Sequence, residues 1–240
     1  MRAIGAAPVV VRYIGAQHVI GRYVGAQQIF IDYVRQGLLH QFDGKNNTGT
    51  GVYDPASPSW TDLVTGTQAT LENVSWQDFG VAFADVTSKV FYQGQSVQEY
   101  TIFNTHKVSA FQGLHPRLFG ENPYPTLYLN SNEGYSYAFY GQGRDAYFSP
   151  RTSPPLNTIV QAAIRFGSTG TVDFFYNGLF TSNLFVQSGP APVSTMYLGC
   201  RAENDRVLTG EIYEHLVYNR PLTDAEIYHN FLVTKQRYEL

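Results

Sequence analysis

Apolar and polar positions at the start of the chain recur with a period of ten residues. Ile4, Ile14 and Val24 align, as do Gly5, Gly15 and Gly25, and then Tyr13, Tyr23 and Tyr33. A short fixed period marks one supersecondary unit copied, each copy too small to bury its own apolar surface. The Gly15-Ala16-Gln17 and Gly25-Ala26-Gln27 steps are turn signals. The runs Val19 to Val24 and Ile29 to Val34 are rich in β-branched and aromatic residues, which predicts strands of a small meander or β-helical stack. Val19 and Tyr23 would share one face and Ile20 and Val24 the other, leaving strand edges and apolar surface uncovered. Residues 1–34 are therefore expected to dock or oligomerise through Tyr13, Ile14, Val19, Ile20, Tyr23, Val24, Ile29 and Phe30. The competing expectation is an extra sheet packed on its own domain.

From about Gln36 the repeat stops. A short apolar run and a cluster of Asp, Asn, Gly and Thr follow (GLLHQFDGKNNTGTG), then a second loop, YDPASPSW. Short candidate strands come next, punctuated by Gly, Pro and Asn: 81–83, 89–92, 98–103, 107–111, 126–129, 135–140, 146–148, 158–166, 171–176, 179–180, 196–199 and 208–218. This density predicts an all-β, two-sheet antiparallel sandwich or jelly roll over residues 35–240. Asn177-Gly178 between apolar flanks supplies the two positive-φ residues of a type I′ hairpin. One helix is predicted, opened by the capping box of Thr223 and Glu226 and running to about Lys235. Ile227 and Phe231 share one of its faces, expected to pack on the end or edge of the sandwich.

Composition narrows the partners. The 240 residues are 43% hydrophobic, enough for one large all-β domain and a small appendage. The formal net charge is −3 and Lys and Arg are unclustered, so neither nucleic acid nor an anionic membrane is expected as a partner. No run approaches the ~18 apolar residues of a membrane span. The apolar run after Arg2 is broken by Gly5 and Pro8, unlike a secretory signal. Cys200 is the only cysteine, which rules out an intrachain disulfide and a thiolate metal site and fits folding in a reducing cytoplasm. His18, His40, His106, His115, His215 and His229 lack metal-ligand spacing and are expected to be exposed or hydrogen-bonded.

The segment GEIYEHLVYNRPLTDAEIYHNFLVTKQRY resembles the closing strand and helix of laminin-G-like, concanavalin A-like lectin/glucanase domains. MYLGCRAENDRVLTGEI and the hairpin DFFYNGLF are similar to the parts before it, and LLHQFDGKNNTGTG with PSWTDLVTGTQATLENVSW resembles the opening found in bacteriophage and prophage structural proteins. The tandem Tyr-Ile/Val-Gly units resemble those preceding carbohydrate-binding domains in phage tail and head appendages. The resemblance implies two curved antiparallel sheets, a structural role for Trp60 and Asp62, and glycan binding on a virion surface. It also implies attachment to other virion proteins, with a homotrimer as the natural oligomer.

In GYSYAFYGQGRDAYFSP, Tyr135, Tyr137 and Phe139 share one strand face and Tyr140 lies on the other. Tyr140, Arg144, Asp145 and Tyr147 are the candidate glycan-binding residues, an aromatic platform joined to planar polar groups. A glycosidase needs two carboxylates about 5–9 Å apart. The resembling enzymes supply them as Glu-x-Asp-x-x-Glu; Glu203-Asn204-Asp205 lacks the final Glu, and Glu211 and Glu214 lack the Asp and are expected on opposite strand faces. No catalytic residue or cofactor is expected, with calcium left open at Asp43, Asn46, Asn47 and Thr48 or at Glu203, Asn204 and Asp205. The expectation is a non-enzymatic virion appendage, made in the host bacterial cytoplasm. Its jelly roll would be displayed for host attachment; the rivals are a decoration protein without glycan binding and, more weakly, a glycoside hydrolase.

Overall fold

The computed structural model describes residues 9–14, 17–24, 27–30, 32–95, 97–120, 126–141, 144–148, 151–168, 170–185, 195–201 and 206–240, with backbone alone for 9–30, 141, 144–146 and 185. The repeats form β1 (Val9–Ile14), β2 (Gln17–Val24) and β3 (Gln27–Phe30), an antiparallel meander that is a sheet of its own. The side chains of Tyr13, Ile14, Val19, Ile20, Tyr23, Val24, Ile29 and Phe30 lie outside the described residues. The second predicted strand is shorter and earlier than the pattern suggested: β3 ends at Phe30, and Asp32 to Arg35 have no regular structure. Tyr33 is pulled into the core instead, where burial of its ring outweighs strand propensity.

The rest of the chain contains β4 (Leu38–Asp43), β5 (Ser59–Thr61), β6 (Gln68–Glu72), β7 (Ser75–Gln77), β8 (Gly80–Phe83), β9 (Lys89–Gln93) and β10 (Tyr100–Val108). There follow β11 (Arg117–Gly120), β12 (Thr126–Asn130), β13 (Ser136–Gly141), β14 (Arg144–Tyr147) and β15 (Ile159–Phe166). Last come β16 (Thr171–Tyr176), β17 (Leu179–Phe185), β18 (Thr195–Leu198), β19 (Gly210–Tyr218) and the helix α1 (Asp224–Tyr238). One eight-stranded sheet runs β17-β16-β15-β10-β19-β8-β7, with β4 also paired to β19; the other runs β14-β13-β12-β11-β18-β9-β6-β5. All strand pairs are antiparallel, as expected for a jelly-roll sandwich. The two runs 98–103 and 107–111 are one strand, β10.

The inner faces of the two sheets meet in one large apolar cluster that includes Phe42, Trp60, Tyr92, Ile102, Leu127, Phe139, Ile164, Phe174 and Val217. Rings interlock across it, Phe42 against Tyr92 at 4.6 Å and Phe148 stacked on Phe174 at 4.6 Å. Asp62 is fully buried among them; its carboxylate accepts from His40 Nδ1, Gln41 N, Val64 N and Thr65 Oγ1. Burial alone would raise its pKa, but those bonds outweigh it and hold the carboxyl below its usual range.

A second cluster lies on the opposite face of the β10/β15/β19 sheet, where Phe103, Ala163, Phe175, Leu216 and Tyr218 meet Leu222, Ile227 and Val233. The helix therefore covers a sheet face rather than an end or edge of the sandwich. Both halves of its capping box form: Glu226 N donates to Thr223 Oγ1 and Thr223 N donates to Glu226 Oε2. Arg220 clamps the same Glu226 with two guanidinium hydrogen bonds. The hairpin turn forms with positive φ at Asn177 and Gly178.

Between helix and sheet sits a polar knot. Asp43 and Glu214 are register partners on β4 and β19, both fully buried. Glu214 accepts from Tyr33 Oη, Thr105 Oγ1 and Thr234 Oγ1, and Asp43 from Tyr238 Oη and Arg237. Burial, with Asp43 adding to it, pushes the Glu214 pKa from 4.5 up to about 7 against the hydrogen bonds and Arg237. Its folded pKa is raised, so its stabilising contribution is complete below pH 4.5 and is lost as pH rises through 7. His106 and His215, held neutral by burial with pKa values of about 4 and about 3, act in the opposite sense. The difference between two proteins isolates Glu214: thermal unfolding of Glu214→Gln and the parent should diverge in the variant's favour between about pH 5 and 8, by on the order of 2 kcal/mol. Parallel profiles would refute this assignment.

Candidate functional site

α1 covers one sheet; on the outward face of the β14-β13-β12-β11-β18-β9 sheet Thr126, Tyr128 and Ala138 are buried, while Tyr140 and Tyr147 keep part of their surface exposed. Strand alternation sorts its residues. Tyr137 and Phe139 point into the core, as expected, and Tyr135 packs against it from the strand's start. Tyr140 points the other way and lines a cavity of about 180 Å3 with Tyr128, Arg117, Arg201 and Arg206. Register places Tyr147 opposite Ala138, two residues from Tyr140, and its ring is 44% exposed. Tyr140 and Tyr147 thus belong to one surface. Register also places Asp145 opposite Tyr140 and Arg144 opposite Gly141, while the side chains of Arg144 and Asp145 lie outside the described residues.

The arginines come from three pieces of chain. Arg117 opens β11, at a bulge in its pairing with β12, and is almost wholly buried. Arg201 and Arg206 belong to the connection between β18 and β19. Three backbone bonds tie that connection to β11 and to itself: Gly199 N to Leu118 O, Leu208 N to Gly199 O, and Arg117 N to Arg206 O at 2.9 Å. Gly199 has φ +71° and no room for a methyl group beside the Phe83 ring, so the turn into the connection requires glycine. Arg206 itself holds φ +56°, an unusual cost for a side chain with a Cβ. It also lines a second, larger cavity of about 380 Å3 with Asp85, Val86, Leu114, Val207 and Leu208, so both cavities border this residue.

Arg117, Tyr128, Arg201 and Arg206 carried no signal in the sequence taken singly. Tyr128 alternates with Leu127 and Leu129 in β12, which marks it as facing away from the core. The arginines are isolated cations whose convergence depends on three non-adjacent segments.

Other candidate chemistry is used up by the fold. The bulge opposite Thr105 and His106 inserts Tyr213, so Glu211 and Glu214 lie on the same side of β19 rather than on opposite faces. Both are engaged, Glu211 by Lys107 at 3.2 Å and Glu214 in the knot beneath α1. The proposed calcium oxygens are occupied: Asp43 by Arg237 and Tyr238, Asn46 by Gly51 N, Asn47 by Asp54 N, and Thr48 by Val52 O. Glu203, Asn204 and Asp205 lie outside the described residues, and among the described residues no three His, Cys, Asp or Glu gather as a metal site. His40, His106, His115, His215 and His229 are hydrogen-bonded, and the side chain of His18 lies outside the described residues. The Cys200 thiol is pushed up to about 12 by burial, which keeps it protonated and unreactive. No helix among the described residues is long and apolar enough to cross a membrane.

A sequence model described as the concanavalin A-like lectin/glucanases superfamily matches residues 106–228, just over half of the chain. The protein belongs to that superfamily. No curated protein sequence matches the chain. Among solved structures it is similar to Trypanosoma rangeli sialidase in complex with the inhibitor DANA, at 17% identity and a TM-score of 0.63, over 85% of this chain and 34% of that one. It is also similar to domain 4 of AbnA, a GH43 extracellular arabinanase from Geobacillus stearothermophilus in complex with arabinotriose. That match has 15% identity and a TM-score of 0.58, over 80% of this chain and 96% of that one. Botulinum neurotoxin type C, described as entering cells through interaction with two ganglioside molecules, matches at 11% identity and a TM-score of 0.57, over 81% of this chain and 50% of that one. The chain spans about a third of the length of the sialidase structures. At these identities the likeness is one of fold.

Proposed function

We propose that this protein is a non-enzymatic carbohydrate-binding module displayed on a bacteriophage virion, as part of a head or tail appendage. The observation that carries the reading is the Tyr128/Tyr140 cavity with exposed Tyr147 beside it, on the sheet face that α1 leaves open. Aromatic faces meet the apolar face of a pyranose, and the guanidinium groups donate to its hydroxyls. An arabinanase domain holding arabinotriose and a ganglioside-dependent neurotoxin share the fold, which supports a sugar as the ligand. The carboxylates Asp43 and Glu214, which face each other on neighbouring strands, are sealed beneath α1 and bonded to Arg237, Tyr238, Tyr33, Thr105 and Thr234. A buried, fully engaged pair supports a structural role for them over glycoside cleavage.

The attachment half of the reading rests on the repeats. In the β1-β2-β3 meander, β1 and β3 are each paired on one side, leaving backbone edges for another chain. β3 comes close to α1, and Leu179, Phe180 and Tyr228 are exposed on β17 and α1. Docking to virion proteins or to further copies of the chain, with three as the working number, would cover these edges. The module would then be held by its helix side with the tyrosine face outward, made in the host bacterial cytoplasm and carried on the virion surface.

Two experiments test the halves separately. Tyr140→Ala combined with Tyr147→Ala should weaken binding on a glycan array by about tenfold or more, since about 1.4 kcal/mol of lost stacking suffices, with the thermal midpoint unchanged. An array on which the parent protein binds nothing would favour a purely structural decoration role. Deleting residues 1–31, which keeps Tyr33 in its core position, should give a folded monomer by light scattering that no longer joins particles. A deletion product that stays oligomeric would refute the docking role.

A further inference from the structure

We infer that the glycan this protein holds carries an acetamido group, whose methyl enters the cavity of about 380 Å3 between the β8–β9, β10–β11 and β18–β19 connections. The inference rests on the carbohydrate-binding reading and names its ligand class. The cavity walls are aliphatic, built by Ala84, Val86, Leu114, Val207 and Leu208. Leu208 is buried, whereas Val86 and Leu114 are 74% and 58% exposed. Aliphatic side chains left in water gain from cover by another apolar group, and they offer no ring face on which a pyranose can stack. A methyl group suits them better than the hydroxyls of a plain sugar, since burying a hydroxyl there without a partner is costly. The polar groups on the rim decide which methyl. Gln112 brings an amide with both donor and acceptor, Thr209 a hydroxyl and Asp85 a carboxylate. The C=O and N–H of an acetamido group match these, whereas the bare methyl of a deoxysugar would leave them unused.

The fold holds this lining ready. Val86 sits in a turn closed by hydrogen bonds: Thr87 N and Thr87 Oγ1 donate to Asp85 Oδ1, Asp85 N donates to Ser88 Oγ, and Ser88 N donates to Asp85 O. The bonds from Thr87 hold the Asp85 carboxyl below its usual range, so it is an acceptor at neutral pH. The loop that carries Leu114 is fixed by Tyr135, whose hydroxyl donates to Gly113 O at 3.3 Å and whose ring stacks on Phe111 at 4.7 Å. On the third side Leu208 N donates to Gly199 O, and Thr209 O accepts from Ser109 N. Walls already ordered spare a ligand the entropy of ordering them. Size points to a small ligand too. The cavity falls within the ~300–1,000 Å3 of small-molecule sites, while two exposed aliphatic side chains fall far short of the ~800 Å2 that each partner buries in a stable protein interface. Arg206 borders both this cavity and the one lined by Tyr128 and Tyr140, so neighbouring units of one oligosaccharide can occupy the two.

The test is a binding titration of the full chain against matched probes: tri-N-acetylchitotriose against cellotriose, N-acetylgalactosamine against galactose, and a rhamnose oligomer as a methyl-bearing sugar without an amide. The expected result is at least about tenfold tighter binding of one acetylated probe over its plain partner. Val86→Ser and Leu114→Ser should each cut that preference by about fivefold, and Gln112→Ala by a similar factor, with an unchanged thermal midpoint because all three side chains are exposed. Equal affinity for acetylated and plain probes, or tightest binding of the rhamnose oligomer, would overturn the acetamido class and leave the carbohydrate reading standing. A preference that survives both Val86→Ser and Leu114→Ser would also overturn it, since the methyl would then lie elsewhere. A parent protein that binds none of these probes but binds other glycans on an array would overturn this inference alone. One that binds no glycan at all would remove the carbohydrate reading with it.

Discussion

Covering one outward face of the sandwich with α1 is the constraint from which the rest of the structure follows. Strands β10, β15 and β19 are apolar on both sides, with Ile102, Ile164 and Val217 turned inward and Phe103, Ala163 and Leu216 turned to the helix. Leaving large side chains such as Phe103, Phe175 and Leu216 in water would cost roughly 1.5–3 kcal/mol each, so this sheet cannot do without its helix. The capping box and the Arg220 clamp on Glu226 fix where the helix begins, and Ile227 and Val233 then fall onto the sheet. The other sheet carries no helix among the described residues; on its outward side Tyr128 and Ala138 are buried, and Tyr140 and Tyr147 keep part of their surface exposed.

Apolar burial alone would let a helix slide on its sheet. The polar knot of Asp43, Glu214, Arg237, Tyr238, Thr234 and Tyr33 fixes one position, because each buried oxygen is satisfied only in that register. Tyr33 makes the leader part of the same arrangement: its hydroxyl reaches Glu214, while Asn230 and His229 on α1 bond the backbone of Val34 and Asp32. The chain therefore leaves the sandwich from its helix side. The leader and the face that carries Tyr140 and Tyr147 thus fall on opposite sides of the sandwich.

The all-β class, the Asn177-Gly178 hairpin, the capped helix and most strands were legible because each rests on local chemistry: period, turn residues, caps. The misreadings have physical causes. Strand β11 follows Pro116 and carries a bulge, so Arg117-Leu118-Phe119-Gly120 shows no clean alternation. Glu211 and Glu214 were placed on opposite faces by a strict period of two, which the bulge at Tyr213 breaks. The helix's resting place was hidden because strands covered on both faces read as continuous apolar runs, and continuity does not say what covers them. Tyr140 and Tyr147 lie close in sequence on one hairpin, which a local reading can bring together, whereas Arg117, Arg201 and Arg206 meet only through sheet order.

The residues that line the cavity are held in two different ways. Tyr128 and Tyr140 stand on paired strands, where pairing to β11 and β14 fixes their spacing, so their positions are as rigid as the sheet. Arg201 and Arg206 ride on the β18–β19 connection, held by backbone bonds rather than by a strand ladder. Substitutions in that connection disturb the paired strands less than substitutions within them, since loops tolerate variation that paired strands do not. The positive φ of Arg206 belongs to the same arrangement: the bond from Arg117 N to its carbonyl ties the connection to β11 at the residue that borders both cavities, so relaxing that backbone would shift the lining of both.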